Sequence, residues 1–68
     1  MEIWERLREL RAESGETQQQ VAKGVGMTSR QYQGLEAGSS LPSYKSFLAL
    51  ADHFNVSLDY LSGRSEER

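Results

Sequence analysis

Apolar residues fall along this chain in short helical phases, each broken by glycine or a turn-forming residue. Ile3, Leu7 and Leu10 recur at i, i+4 and i+7 with Trp4 beside them, which predicts an amphipathic helix from about Glu2 to Glu13. Ser14 and Gly15 end it, glycine suiting the left-handed position past a helix terminus. Thr17 to Gln20 (TQQQ) has the spacing of a capping box and starts a second helix with Val21, Ala22 and Val25 on its buried face. Gly26 stops that helix. Thr28 to Gln31 (TSRQ) repeats the box for a third helix, which runs to about Ala37 and stops at Gly38. Tyr32 and Leu35 point inward from it. Gly38 to Pro42 is the longest loop, and Ser43 caps a fourth helix with Tyr44, Phe47, Leu48, Ala51 and Phe54 on its inner face. Asn55, tolerant of the left-handed conformation, closes it. Ser57 caps a short fifth helix containing Leu58 and Leu61, with Asp59 in its first turn favouring the helix dipole. Gly63 ends the folded part, and the polar tail RSEER is expected to be loose. No stretch alternates as a strand would. The predicted fold is therefore all-α, five helices packed as one compact bundle over residues 1–63, followed by a polar tail, 64–68.

The middle of the chain is the most informative part. From Gln18 to Leu35 two short helices are joined by a tight turn, with the small Ala22 where they cross and Gly26 in the turn four residues later. That is the shape of a helix-turn-helix, whose second helix lies in the DNA major groove. Here the second helix, Ser29 to Ala37, presents Ser29, Arg30, Gln31 and Gln33 outward. Arginine pairs bidentately with guanine and glutamine with adenine, each good pair giving about 1–3 kcal/mol of discrimination. Arg30 is the foremost base-reading candidate. Gln31 has a competing duty as the closing residue of its capping box. Thr17 and Thr28 are caps first, although either hydroxyl, or a helix-terminal N–H beside it, can also hold a phosphate.

Size and composition narrow the alternatives. A chain of 68 residues has room for one small core, which rarely provides more than about 3–5 kcal/mol. The absence of cysteine removes disulfide scaffolds, thiolate metal sites and cysteine nucleophiles, and the single histidine, His53, removes any site needing two imidazoles. His53 itself reads as a solvated or edge-packed side chain, and Trp4, Tyr44, Phe47 and Phe54 as core. The longest apolar run, Phe47 to Ala51, is far shorter than the roughly 20 residues needed to span a bilayer. The charged, amphipathic start MEIWERLREL is not a secretory signal. A cytoplasmic protein is expected. Nothing pairs a nucleophile with a base, spaces metal ligands or forms a phosphate-binding glycine loop, so no enzyme, cofactor, metal or small-molecule ligand is expected.

A net charge of −2 argues against nucleic acid, whose affinity comes largely from phosphate neutralisation. Its distribution weakens the objection. Glu2, Glu5, Glu9 and Glu13 lie in the first helix and Asp59, Glu66 and Glu67 at the end, whereas Thr17 to Lys45 holds Lys23, Arg30 and Lys45 against one acid, Glu36. A phosphate feels the nearest face within a Debye length of about 8 Å.

The segments LRELRAESG, TQQQVAKGVGMTSRQYQGLEAGSSLPS and LALADHFNVSLDYLSG resemble the phage-repressor and Cro (XRE) type of helix-turn-helix domain. The resemblance runs from about Ile3 to Gly63, and Gln18, Ala22, Gly26, Leu35-Glu36, Gly38, Pro42 and the ending VSLDYL agree with it together. It implies a lambda-repressor-like bundle and a bacterial or phage transcription regulator, a repressor, bound to double-stranded DNA as a homodimer on a palindromic site. By position it implies that Gln18 contacts a phosphate and braces the recognition helix. Gly38, Ser39 and Ser40 would offer backbone N–H groups to the DNA backbone. Arg11 and Glu36 would form a partly buried ion pair, which removes the one central acid from the DNA face. Dimer contacts would come from the last helix, through Leu58, Tyr60 and Leu61, with Tyr60 exposed.

Several positions depart from the family pattern. Gly34 stands where the family often has a base-contacting residue, and glycine costs about 1 kcal/mol inside a helix. It either lets the backbone approach DNA closely or leaves specificity low. Gly24 adds a second such weakness, and Ala37 replaces a polar residue that often meets a phosphate. Tyr32 replaces a small aliphatic residue, so its hydroxyl is expected to reach the surface or a partner. These departures and the acidic balance support an alternative, a protein-interaction module on the same scaffold, such as an antitoxin-like or anti-repressor partner.

Overall fold

Each capping signal starts a helix in the computed structural model, which describes residues 1–68. The helices are α1 (Ile3–Ser14), α2 (Gln18–Val25), α3 (Ser29–Ala37), α4 (Tyr44–Phe54) and α5 (Leu58–Leu61). At α2 the Gln20 N–H donates to Thr17 Oγ1 at 3.1 Å while the Thr17 N–H donates to Gln20 Oε1 at 2.8 Å. At α3 Thr28 and Gln31 repeat the exchange at 3.1 and 2.9 Å. Each such cap contributes about 1 kcal/mol, a large share for a domain this small. Ser43 and Ser57 cap α4 and α5 through single hydroxyls. α1 lies one residue later than predicted because Glu2 is itself a cap, paired reciprocally with Glu5. Asn55 closes α4 in the left-handed conformation, at φ 56°.

The core is Leu7, Leu10, Val21, Ala22, Tyr32, Leu35, Leu50, Ala51, Tyr60 and Leu61. Ala22 is buried on α2, which packs against α3. The phase of α4 differs from the prediction. Its buried side is Phe47, Leu50, Ala51 and Phe54, whereas Tyr44 is 71% exposed and Leu48 38%. Residues 44, 47, 48 and 51 and residues 47, 50, 51 and 54 are both apolar sets at helical spacing, so the pattern alone did not choose between them.

Two further expectations are corrected at the end of the chain. Tyr60 and Leu61 are not exposed; both are core residues, and Leu58 packs half-buried against them. The Tyr60 ring lies under the guanidinium of Arg6, 3.8 Å from ring centroid to Cζ, and its hydroxyl donates to Glu9 at 3.4 Å. Arg6 is fully buried and its Nε has no partner. Nor is the tail loose. The Ser57 N–H donates to the Arg68 carbonyl at 2.9 Å, Arg68 bonds Glu13 at 2.6 Å, and Glu66 meets Arg6 at 3.5 Å. No helix is long and apolar enough to cross a membrane.

Gly24 has a packing reason. A Cβ there would stand 2.8 Å from Cε1 of His53, whose ring packs edge-on to Phe54. The same ring holds both carboxylate oxygens of Glu16 through Nε2, at 2.9 and 3.0 Å. His53 is thus edge-packed, and Glu16 is held below the usual carboxylate range, first by the Ser14 hydroxyl and then by His53.

Candidate nucleic-acid interface

The outer face of α3 carries polar side chains on a helix fixed from behind. Arg30, Gln31 and Gln33 are exposed and Ser29 is half-buried, while Tyr32 and Leu35 face the core. Arg30 makes no salt bridge within the chain, and neither does Lys23 or Lys45. Arg30 and Gln33, three residues apart, share one side of the helix. Gln31 is committed: its carbonyl oxygen accepts the Thr28 N–H, which leaves its amide N–H groups available.

Glu36 anchors the helix to the body. Its carboxylate is 3% exposed and accepts Arg11 Nε at 2.6 Å, Arg11 Nη2 at 3.1 Å and Gln18 Nε2 at 3.0 Å. Arg11 also donates to the Glu16 carbonyl at 3.1 Å. Burial alone raises the pKa of Glu36. The Arg11 guanidinium foremost, with the Gln18 amide, overcomes burial and holds it below the usual carboxylate range. The central acid is therefore neutralised inside the fold. Gln18 engages this cluster through one amide nitrogen, the bracing duty expected of it, and its carbonyl oxygen makes no bond in the chain.

Tyr32 does not meet its expectation. Its hydroxyl reaches neither solvent nor a hydrogen-bond partner, although it lies close enough to Glu36 to feel that charge. Burial first, and the carboxylate second, push its ionisation far upward.

The loop after α3 needs a correction too. The Gly38 N–H is bonded to the Gly34 and Leu35 carbonyls and the Ser39 N–H to Gly34 at 3.0 Å. Of Gly38, Ser39 and Ser40, only Ser40 keeps a free backbone N–H, beside its unbonded hydroxyl. The Ser39 hydroxyl donates to the Gly34 carbonyl at 3.2 Å. Gly38, at φ 77°, carries the indole of Trp4 over the space a side chain would occupy. No sequence signal flagged that contact, since Trp4 reads equally well as plain core.

Gly34 is half-buried, and a Cβ there would meet the Ser40 hydroxyl at 3.0 Å and that of Ser39 at 3.5 Å. Both are ends of mobile side chains on an exposed loop. Gly34→Ala is therefore expected to gain most of the helix-propensity difference, about 0.5–1 kcal/mol. In a domain of this size a gain of 1 kcal/mol raises the melting midpoint by roughly 4–8 °C, which calorimetry resolves. A fall in the midpoint would mean that Ser40 cannot yield.

Comparison with known proteins agrees with this geometry. The profile of the helix-turn-helix family matches residues 7–61. The cryptic phage CTXphi transcriptional repressor RstR of Vibrio cholerae is 36% identical over 64 residues, covering 94% of this chain and 57% of that protein. The HTH-type transcriptional regulator YqaE of Bacillus subtilis is 38% identical over 65 residues, covering 94% of this chain and 56% of that one. The chain thus spans little more than half the length of these relatives. Among solved structures, the P22 c2 repressor bound to a synthetic operator superimposes with a TM-score of 0.90 at 26% identity, over 96% of this chain and 98% of that one. The lambda-repressor-like fold expected from the motifs is the fold observed. With four-fifths of its residues inside the family profile and its helix-turn-helix built as described, this chain belongs to the helix-turn-helix family.

Proposed function

We propose that this chain is the DNA-reading domain of a transcriptional repressor, non-enzymatic, with α3 as the helix that enters the major groove. The observation that carries the reading is the state of charge on and behind α3. Its one acid, Glu36, is buried and paired, while Arg30 projects free from an exposed face. Arg30 and Gln33 read base edges, Gln31 contributes its amide N–H groups, and Ser29 lies beside them at the entering end. Thr17, Gln18 and Thr28, at the N-termini of α2 and α3, and Ser40 in the following loop, meet phosphates. The resemblance to repressors, one of them solved on its operator, supports the same assignment.

We also infer a homodimer, but not through Leu58, Tyr60 and Leu61, two of which are core. Large exposed apolar side chains gather instead at the start of α4. Leu41 is 77% exposed, Tyr44 71% and Leu48 38%, and Leu41 and Tyr44 flank an apolar groove with Ile3, Pro42 and Phe47. The patch begins directly after the Gly38–Ser40 loop, so it borders the DNA face. A second copy seated there lies along the same duplex. Such a pair would have to set its two recognition helices about one DNA turn apart, roughly 34 Å, to read two half-sites on one face of the duplex.

The deciding experiment is fluorescence anisotropy on a randomised duplex pool across a salt series, with Arg30→Ala beside the wild type. Steeply salt-dependent binding that selects a palindrome is expected, with Arg30→Ala weakening selection at one base position by about 1–3 kcal/mol. Absence of binding at about 50 mM salt, where phosphate contacts are strongest, would move the assignment to a protein-interaction module.

A further inference from the structure

α1 holds the recognition helix at two points, and only one of them is the ion pair. Trp4 and Arg11 are seven residues apart, two helical turns, so they project from the same side of α1 with the buried Leu7 between them. Arg11 grips Glu36, in the last turn of α3. Trp4 covers Gly38, the residue that closes that turn: Cδ2, Cε2 and Cε3 of the indole stand 3.1, 3.3 and 3.4 Å from where a Cβ would be. Just beyond, Ser40 carries a free N–H and an unbonded hydroxyl.

Placement matters unusually here because charge is scarce. No basic residue lies in the last turn of α3, and Lys23, Arg30 and Lys45 are the only cations between Thr17 and Lys45. Contacts to phosphate must then come largely from backbone N–H and hydroxyl dipoles. A dipole's attraction depends on direction, and a hydrogen bond weakens steeply once its angle falls toward about 120°. A long flexible lysine finds a phosphate from many starting points, but a loop N–H does not.

We propose that Trp4 is a positioning residue for DNA binding: its ring fixes how the chain leaves α3 and so aims the Ser40 N–H and hydroxyl at a phosphate. The inference rests on the DNA-reading assignment above. The flat indole suits the task, since it buttresses a side-chain-free, left-handed residue from one side and has only two side-chain torsions.

The test compares wild type, Trp4→Ala, Trp4→Leu and Trp4→Phe on the duplex selected by the wild type, at a temperature where circular dichroism shows each fully folded. Trp4→Leu keeps apolar burial without the flat face, so it serves if Trp4→Ala does not fold. Loss of one phosphate hydrogen bond is expected to weaken binding about tenfold. The slope of log K against log salt should hold, because a neutral N–H or hydroxyl that meets a phosphate releases no counterion. The preferred base sequence should stay the same, and Trp4→Phe should recover most of the lost affinity. A purely structural tryptophan would lower the melting midpoint without moving the affinity of the folded protein. Folded Trp4→Ala or Trp4→Leu with wild-type affinity overturns this inference alone. Failure of the wild type to bind any duplex overturns it together with the DNA-reading assignment.

Discussion

Replacing Arg11 with methionine is expected to remove about 3–5 kcal/mol of stability, the usual penalty when one partner of a buried ion pair is lost. That equals the whole stability a core of this size commonly provides, so the variant should be largely unfolded at 25 °C by urea titration. The reason is asymmetric exposure. Arg11 is 25% exposed and has a second acceptor in the Glu16 carbonyl, whereas Glu36 is 3% exposed. Without Arg11 the carboxylate keeps one amide donor, from Gln18, and no counter-charge. The reverse change, Glu36→Gln, leaves a guanidinium that still reaches water, and should cost less, about 1–2 kcal/mol.

The dependence on pH separates this account from a general loss of packing. In the wild type the folded pKa of Glu36 lies below its ordinary value of 4.5. Its contribution is therefore complete above that value and is lost as pH falls through the depressed folded value. In Arg11→Met burial is opposed by no counter-charge and by the Gln18 amide alone, so the folded pKa is expected to rise above the unfolded one. The folded state then binds the extra proton, and stability falls as pH rises from about 4.5 toward neutrality. All other titrating groups are shared. The folded fraction of Arg11→Met, read by circular dichroism at 25 °C at pH 5 and pH 7.5, should thus rise on acidification relative to that of the wild type. Equal differences at both pH values would show that Glu36 is solvated in the variant.

Most of the fold was legible because helix ends are written in local chemistry. The threonine boxes, the serine caps and Asn55 each act over three or four residues, and each marks a helix boundary where the motif places it. What local pattern does not contain is the rotation of a helix whose apolar residues cover more than one side. That is why the apolar pattern points to Tyr44 and Leu48 where the fold buries Leu50. Arg6 is the converse case, a charge on an apolar period. With Ile3, Leu7 and Leu10 it completes the spacing i, i+3, i+4, i+7, so the period places it on the inner face although its charge favours water. Only the Tyr60 ring beneath it and Glu66 beyond explain how it stays inside. The Glu36 cluster came from resemblance rather than spacing, since Arg11 and Glu36 are 25 residues apart. Trp4 over Gly38 had no signal of either kind.

Leu41→Ser with Tyr44→Ser is expected to leave the domain folded and to weaken binding to a two-half-site duplex by about 10²–10⁴, the avidity that joining two binding units supplies. Both side chains are more than two-thirds exposed, so their truncation removes little buried surface and the melting midpoint should barely move. Neutral replacements are chosen deliberately. The patch adjoins the DNA-facing loop, and an added carboxylate there would weaken phosphate contacts directly and imitate a dimerisation defect. With charge unchanged, affinity for a duplex bearing one half-site should equal that of the wild type, because a single copy makes every contact there. Sedimentation velocity with the two-half-site duplex should show one copy per duplex at concentrations where the wild type binds as two. Loss of affinity on the half-site duplex as well would assign Leu41 and Tyr44 to the DNA contact itself. Unchanged affinity on both would leave the apolar patch outside the complex and place the second copy against another face.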